Sequence, residues 1–73
     1  MASETVEVPI AGKIIDIKVS VGMQVKEGDI ICLLESMKME NPILAPVSGT
    51  IKEIQVSPAQ VVKAGNTIAI IEF

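Results

Sequence analysis

At 73 residues the chain has room for a single domain, 1–73, with a thin core. Hydrophobic residues make up 49% of it, Phe73 is the one aromatic side chain, and the net charge is −3 with no arginine and no histidine. That balance excludes a nucleic-acid surface, which needs a basic stripe and stacking platforms; it excludes a histidine-based metal or acid–base centre; and with Cys32 alone it excludes an intramolecular disulfide.

The apolar residues are mostly β-branched and fall in short runs broken by Gly, Pro, Asn and Asp, which is a pattern of strands. The first strand is predicted at Thr5–Val8 and the second at Lys13–Val19. Ile14 and Ile17 are three apart, which breaks a period of two, so a bulge or sharp bend is expected there. Gly12, just upstream, is expected to allow close turning. A short strand near Gln24–Lys26 leads into a tight turn at Gly28-Asp29, where a positive φ is useful. Ile30–Ser36 follows as the fourth strand. The later strands are predicted at Glu40–Leu44, Thr50–Val56, Val61–Lys63 and Thr67–Glu72, with Gly49 placed like Gly12 and a second tight turn at Gly65-Asn66. The longest uninterrupted apolar run, Ile30 to Leu34, falls far short of the ~20 residues of a membrane span, so no direct membrane insertion is expected. The start, Met1-Ala2-Ser3-Glu4, carries no basic region followed by an apolar one, and the cytoplasm is the expected location.

The chain repeats itself. Shifted by 37 residues, Pro9 falls on Pro46, Gly12 on Gly49, Ile14 on Ile51, Val25-Lys26 on Val62-Lys63, Gly28 on Gly65 and Glu35 on Glu72; 11 of the 27 residues from 9 to 35 are identical. Neither half, about 5–36 or 42–73, can bury its apolar face alone, so the two are expected to pack about a pseudo-two-fold axis. The fold class that follows is all-β, with two sheets of about four strands packed face to face or closed into a flattened barrel. The halves meet at residues 37–41, and this hairpin turn places Lys38 exposed, on the axis and far from the chain ends.

Met37-Lys38-Met39 is an odd hairpin tip, because turns favour Gly, Asn, Asp, Pro and Ser. Two readings stand here: the methionines fold down as core filler beside an ordinary solvated lysine, or the lysine is a site of modification. A lysine amine in water, with a pKa of ~10.4, is mostly protonated and a poor nucleophile. A reaction at Lys38 therefore needs a partner that brings an activated acyl donor and takes the proton. No nucleophile–base pair, metal cluster or phosphate loop is visible elsewhere, so no catalytic residue and no metal ligand is assigned. Cys32, with no basic neighbour in sequence, is expected in the core. Glu27, Asp29 and Glu40 lack calcium-loop spacing and are expected as solvated charges.

The segment Glu35-Ser36-Met37-Lys38-Met39-Glu40, centred in a duplicated all-β domain with Pro46 and Gly49 downstream, resembles the biotinyl domain family. This family comprises the biotin carboxyl carrier proteins and the attachment domains of biotin-dependent carboxylases, decarboxylases and transcarboxylases. The resemblance covers about residues 5 to 73. It implies a flattened barrel of two four-stranded antiparallel sheets, the barrel-sandwich hybrid, here without the protruding thumb loop that some members carry. It implies that a biotin protein ligase attaches biotin covalently to Lys38. It also implies a non-catalytic carrier, whose arm shuttles a carboxyl group between a biotin carboxylase and a carboxyltransferase, or a decarboxylase. By the same resemblance Met37 and Met39 aid ligase recognition and arm positioning, and Glu35 helps separate biotinylation from lipoylation. Ser36 stands where many members have Ala. Gly22-Met23 replaces a Gly-Asp pair, with Ala59-Gln60 as its counterpart, which puts the loop conformation in question.

Two rivals are weighed. A lipoyl-accepting domain of a 2-oxoacid dehydrogenase complex shares the fold, but its lysine usually sits between Asp and Ala, and Met37 and Met39 argue against it. An unmodified interaction module of the efflux-adaptor kind normally has a helical hairpin between its halves, and here they join through a few residues.

Overall fold

The computed structural model describes residues 2–73, all in strands and their connections. Eight strands run in order: β1 Ser3–Glu7, β2 Gly12–Ile17, β3 Gln24–Val25, β4 Ile30–Ser36, β5 Met39–Leu44, β6 Gly49–Ile54, β7 Val61–Val62 and β8 Thr67–Glu72. β4 and β8 match their predicted bounds, and the others differ by one or two residues at one or both ends. Two four-stranded antiparallel sheets result, with orders β1-β8-β6-β3 and β5-β4-β2-β7. The repeat turns one sheet into the other, since it exchanges β1 with β5, β8 with β4, β6 with β2 and β3 with β7. Each sheet therefore mixes strands of both halves, so neither half has a sheet of its own to keep.

The core obeys the same operation. The buried cluster pairs Val6 with Ile43, Val8 with Ala45, Ile14 with Ile51 and Val19 with Val56. It also pairs Val25 with Val62, Ile31 with Ile68, Cys32 with Ala69 and Leu34 with Ile71. No polar or charged residue is buried among those described. Aliphatic burial from both sheets thus supplies the driving force that a chain this short needs.

Ile14 and Ile17 both turn inward because the register slips between Ile14 and Asp16, and Ile51 and Glu53 repeat the slip. The expected bulge is present in both halves. The turns at Gly28 and Gly65 hold φ of 93° and 91°, and Asp29 and Asn66 side chains accept hydrogen bonds from the Lys26 and Lys63 backbone amides at 2.8 and 2.9 Å. The loops at Gly22 and Ala59 also coincide. Gly22 N–H donates to the Ile51 carbonyl at 2.8 Å and Ala59 N–H to the Ile14 carbonyl at 2.7 Å, with φ of 90° and 70°. Gly22-Met23 and Ala59-Gln60 thus give the two halves loops of the same kind.

Two sequence expectations change. Gly12 and Gly49 do not make turns; they are the first residues of β2 and β6, where a Cβ would collide with the carbonyls of Glu35 and Glu72. Glycine is needed there for close approach of one backbone to another. The Lys38 hairpin, moreover, is not on the pseudo-two-fold axis. The Ser36↔Met39 rung that closes it corresponds to Phe73 and Ala2, which exchange backbone hydrogen bonds of 2.9 and 3.0 Å. The axis therefore swaps the hairpin with the meeting of residues 2 and 73, and the two lie at opposite ends of a molecule with extents of 36 × 18 × 17 Å.

Candidate functional site

β4 and β5 form an antiparallel hairpin with rungs Leu34↔Asn41, Glu35↔Glu40 and Ser36↔Met39. Two residues remain for the tip, Met37 at φ 53° and Lys38 at φ 66°. Positive φ at both central residues is the mark of a type I′ turn, whose twist matches that of the flanking strands. Non-glycine residues pay roughly 1–2 kcal/mol each for the left-handed region. Asn-Gly would avoid most of that cost, so local preference does not account for Met-Lys at this place.

The methionines are not core filler. Met37 is 89% exposed and Met39 66% exposed. They flank Lys38, itself exposed, so an amine stands at the end of the molecule with an apolar side chain on either side. Among the described residues the ion pairs are Lys18–Asp16 at 2.8 Å and Lys52–Glu72 at 3.8 Å, and neither involves Lys38. The first of these lowers the Asp16 pKa, through the hydrogen bond from Lys18 and then its charge. A covalently held group needs an amine that is solvent-exposed, uncommitted to a carboxylate and outside the core, and Lys38 meets all three conditions.

Glu35 is exposed on β4 and lies in register with Glu40 on one side and Lys13 on the other. Glu35 thus opposes a like charge in Glu40, which weakens that strand pair, and an opposite charge in Lys13, which favours the other. Glu35 and Glu40 make the base of the hairpin acidic just below the lysine. The structure thus brings Glu35, Met37, Lys38 and Met39 together on one hairpin.

Sequence reasoning did not single out two neighbours for the site. Ser36 Oγ donates to the Ala11 carbonyl at 2.9 Å, and Asn41 Nδ2 donates to the Met39 carbonyl at 3.3 Å. The available signal was a hydroxyl where the resembling family often has Ala, and an amide side chain close after the turn. Ala11, 25 residues away, could not be identified as the acceptor without the β2–β4 register. Cys32 is fully buried, and burial pushes its thiol up to about 11. It takes no part in the site.

Comparison with known proteins agrees with this geometry. The family model described as biotin-requiring enzyme matches residues 4–71. The gamma subunit of methylmalonyl-CoA decarboxylase from Veillonella parvula is 49% identical over 43 residues, which cover 59% of this chain and 33% of that one. The biotinylated protein TB7.3 homolog of Mycobacterium leprae is 46% identical over 43 residues, covering 59% and 61%. Among solved structures, the Kluyveromyces lactis urea carboxylase matches with a TM-score of 0.91 at 28% identity, over 99% of this chain and 6% of that one. A single-chain, multi-domain long-chain acyl-CoA carboxylase matches with a TM-score of 0.87 at 25% identity, over 93% and 7%. The matched stretch thus spans between 33% and 61% of the length of those two curated relatives.

Proposed function

The chain belongs to the family of biotin-requiring enzymes, and on that premise we propose that it is a biotin carboxyl carrier whose Lys38 is the attachment residue. The observation that carries the proposal is the exposed, unpaired amine at a strained two-residue tip between two exposed methionines.

The chain's own residues have limited work. Lys38 Nζ, once deprotonated, attacks an activated carboxyl carbon. An amide forms, the activating group departs with the electron pair of the broken bond, and the Nζ proton passes to a base of the partner. The product has one positive charge fewer, which takes the formal net charge from −3 to about −4. Met37 and Met39 offer apolar contacts to the modifying enzyme, and Glu35 adds a fixed negative charge at the base of the tip. Bound there, biotin supplies a ureido ring able to hold a carboxyl group. The rigid double sheet supplies the platform, and four lysine methylenes supply reach.

The partners in this reading are a biotin protein ligase, a biotin carboxylase and a carboxyltransferase or decarboxylase. The proposal takes residues 1–73 as one carrier domain, a non-catalytic unit of a biotin-dependent complex. A cytoplasmic setting also belongs to it, motivated by the single unpaired thiol of Cys32. Incubation with biotin, ATP and a biotin protein ligase tests the reading by intact mass. The wild-type chain gains one biotin and Lys38→Arg gains none; equal gain by both would refute the assignment.

A further inference from the structure

We infer that Ser36 and Asn41 are positioning residues, whose side-chain hydrogen bonds hold the strained tip in the conformation that presents Lys38. The inference rests on Lys38 being the acceptor. Met37 and Lys38 both occupy the left-handed region, and neither residue type favours it. Stabilisation of this turn therefore comes from outside its two central residues.

Both feet of the hairpin are tied. On the incoming strand, Ser36 Oγ holds the Ala11 carbonyl at 2.9 Å and so fastens β4 to the β1–β2 connection. On the outgoing strand, Asn41 Nδ2 holds the Met39 carbonyl at 3.3 Å. Ser36 and Asn41 are both half-buried, whereas Met37, Lys38 and Met39 between them are exposed.

The repeat separates what the fold needs from what the tip needs. The hydrogen bonds at Gly22 and Ala59, and those at Asp29 and Asn66, occur in both halves. The two ties do not. Phe73 corresponds to Ser36 and has no hydroxyl, and Glu4 corresponds to Asn41 and has no amide to donate. The other end of the molecule builds the same strand pair, β8 with β1, without either bond. They are therefore dispensable for the architecture and belong to the lysine-bearing end alone.

An untied tip spends part of its time in other conformations. A modifying enzyme that accepts only the type I′ form then sees an affinity reduced by the competent fraction, while the chemistry of the bound complex is unchanged. The expected signature is a rise in KM with kcat retained.

The test combines ligase kinetics with amide hydrogen exchange, on wild type, Ser36→Ala, Asn41→Ala, the double variant, Ser36→Thr and Lys38→Arg. Loss of one such bond is expected to raise KM by up to about five-fold, and loss of both by more, with kcat within about two-fold of wild type. Ser36→Thr restores the KM. Exchange quickens at the closing rung, Ser36 and Met39, and stays slow at Ile68 and Ala69. A wild-type KM in the double variant overturns the inference, and so does a KM rise matched by faster exchange in β8, which would make the bonds general props. Modification of Lys38→Arg at the wild-type level would refute the acceptor assignment itself, and the inference with it.

Discussion

Gly12 lies so close beneath the carbonyl of Glu35 that a Cβ has no place between them, and Gly49 stands beneath Glu72 in the same way. These contacts let β2 approach the base of the lysine hairpin and β6 approach the opposite end. Gly12→Ala and Gly49→Ala are each expected to destabilise by about 1–3 kcal/mol, as overpacking does. Urea denaturation measures this. The two should differ in biotinylation of the folded protein, since only Gly12 supports the hairpin that carries Lys38. Equal loss of biotinylation in both would contradict that division.

Ala59 carries φ 70° at the position where the other half has Gly22 at φ 90°. A left-handed alanine is strained, and glycine relieves the strain at some cost in unfolded-chain entropy. Ala59→Gly is expected to stabilise by about 1 kcal/mol, a rise in melting temperature of about 4–8 °C for a domain of this size. Gly22→Ala should lower stability. A neutral Ala59→Gly would show that the loop relaxes.

Much of the fold was legible in the residues themselves. The repeat, the β-branched runs and the Gly-Asx turns marked eight strands and the bulge at Ile14, because each rests on local pattern. The role of Gly12 was not legible, since a carbonyl 23 positions along the chain makes glycine necessary. The place of the hairpin relative to the pseudo-two-fold axis was likewise hidden, because it depends on which strands share a sheet. The lysine and its methionines were legible as a short unrepeated motif, and Glu35, which recurs as Glu72, by its place three residues before the lysine. The tie from Ser36 to Ala11 was not, since it depends on the β2–β4 register.

Cys32 occupies the core position that Ala69 holds in the other half, and its thiol is pushed up from 9.0 to about 11 by burial. Folding therefore keeps a proton that the unfolded chain releases more readily. This contribution is fully present below pH ~9 and is lost as pH rises from ~9 towards ~11. Denaturation of Cys32→Ala and wild type across that range should show the wild type losing more stability. A thiol reagent at pH 8 should label Cys32 only on unfolding. Rapid labelling of the native chain would contradict the burial.

Met37 at φ 53° is the second test of whether strain at the tip serves recognition. Asn tolerates the left-handed region better than Met. Met37→Asn is expected to raise stability by about 0.5–1 kcal/mol and to raise the ligase KM, since the exposed thioether is lost. Improved stability with unchanged KM would remove Met37 from the recognition surface.

The most direct measurement is proteolytic mapping of the ligase-treated chain by tandem mass spectrometry. Six lysines compete for the label: Lys13, Lys18, Lys26, Lys38, Lys52 and Lys63. All biotin is expected on Lys38, with the other five unmodified. Biotin on any other lysine in place of Lys38, or none anywhere after treatment with an active ligase, would contradict the carrier assignment.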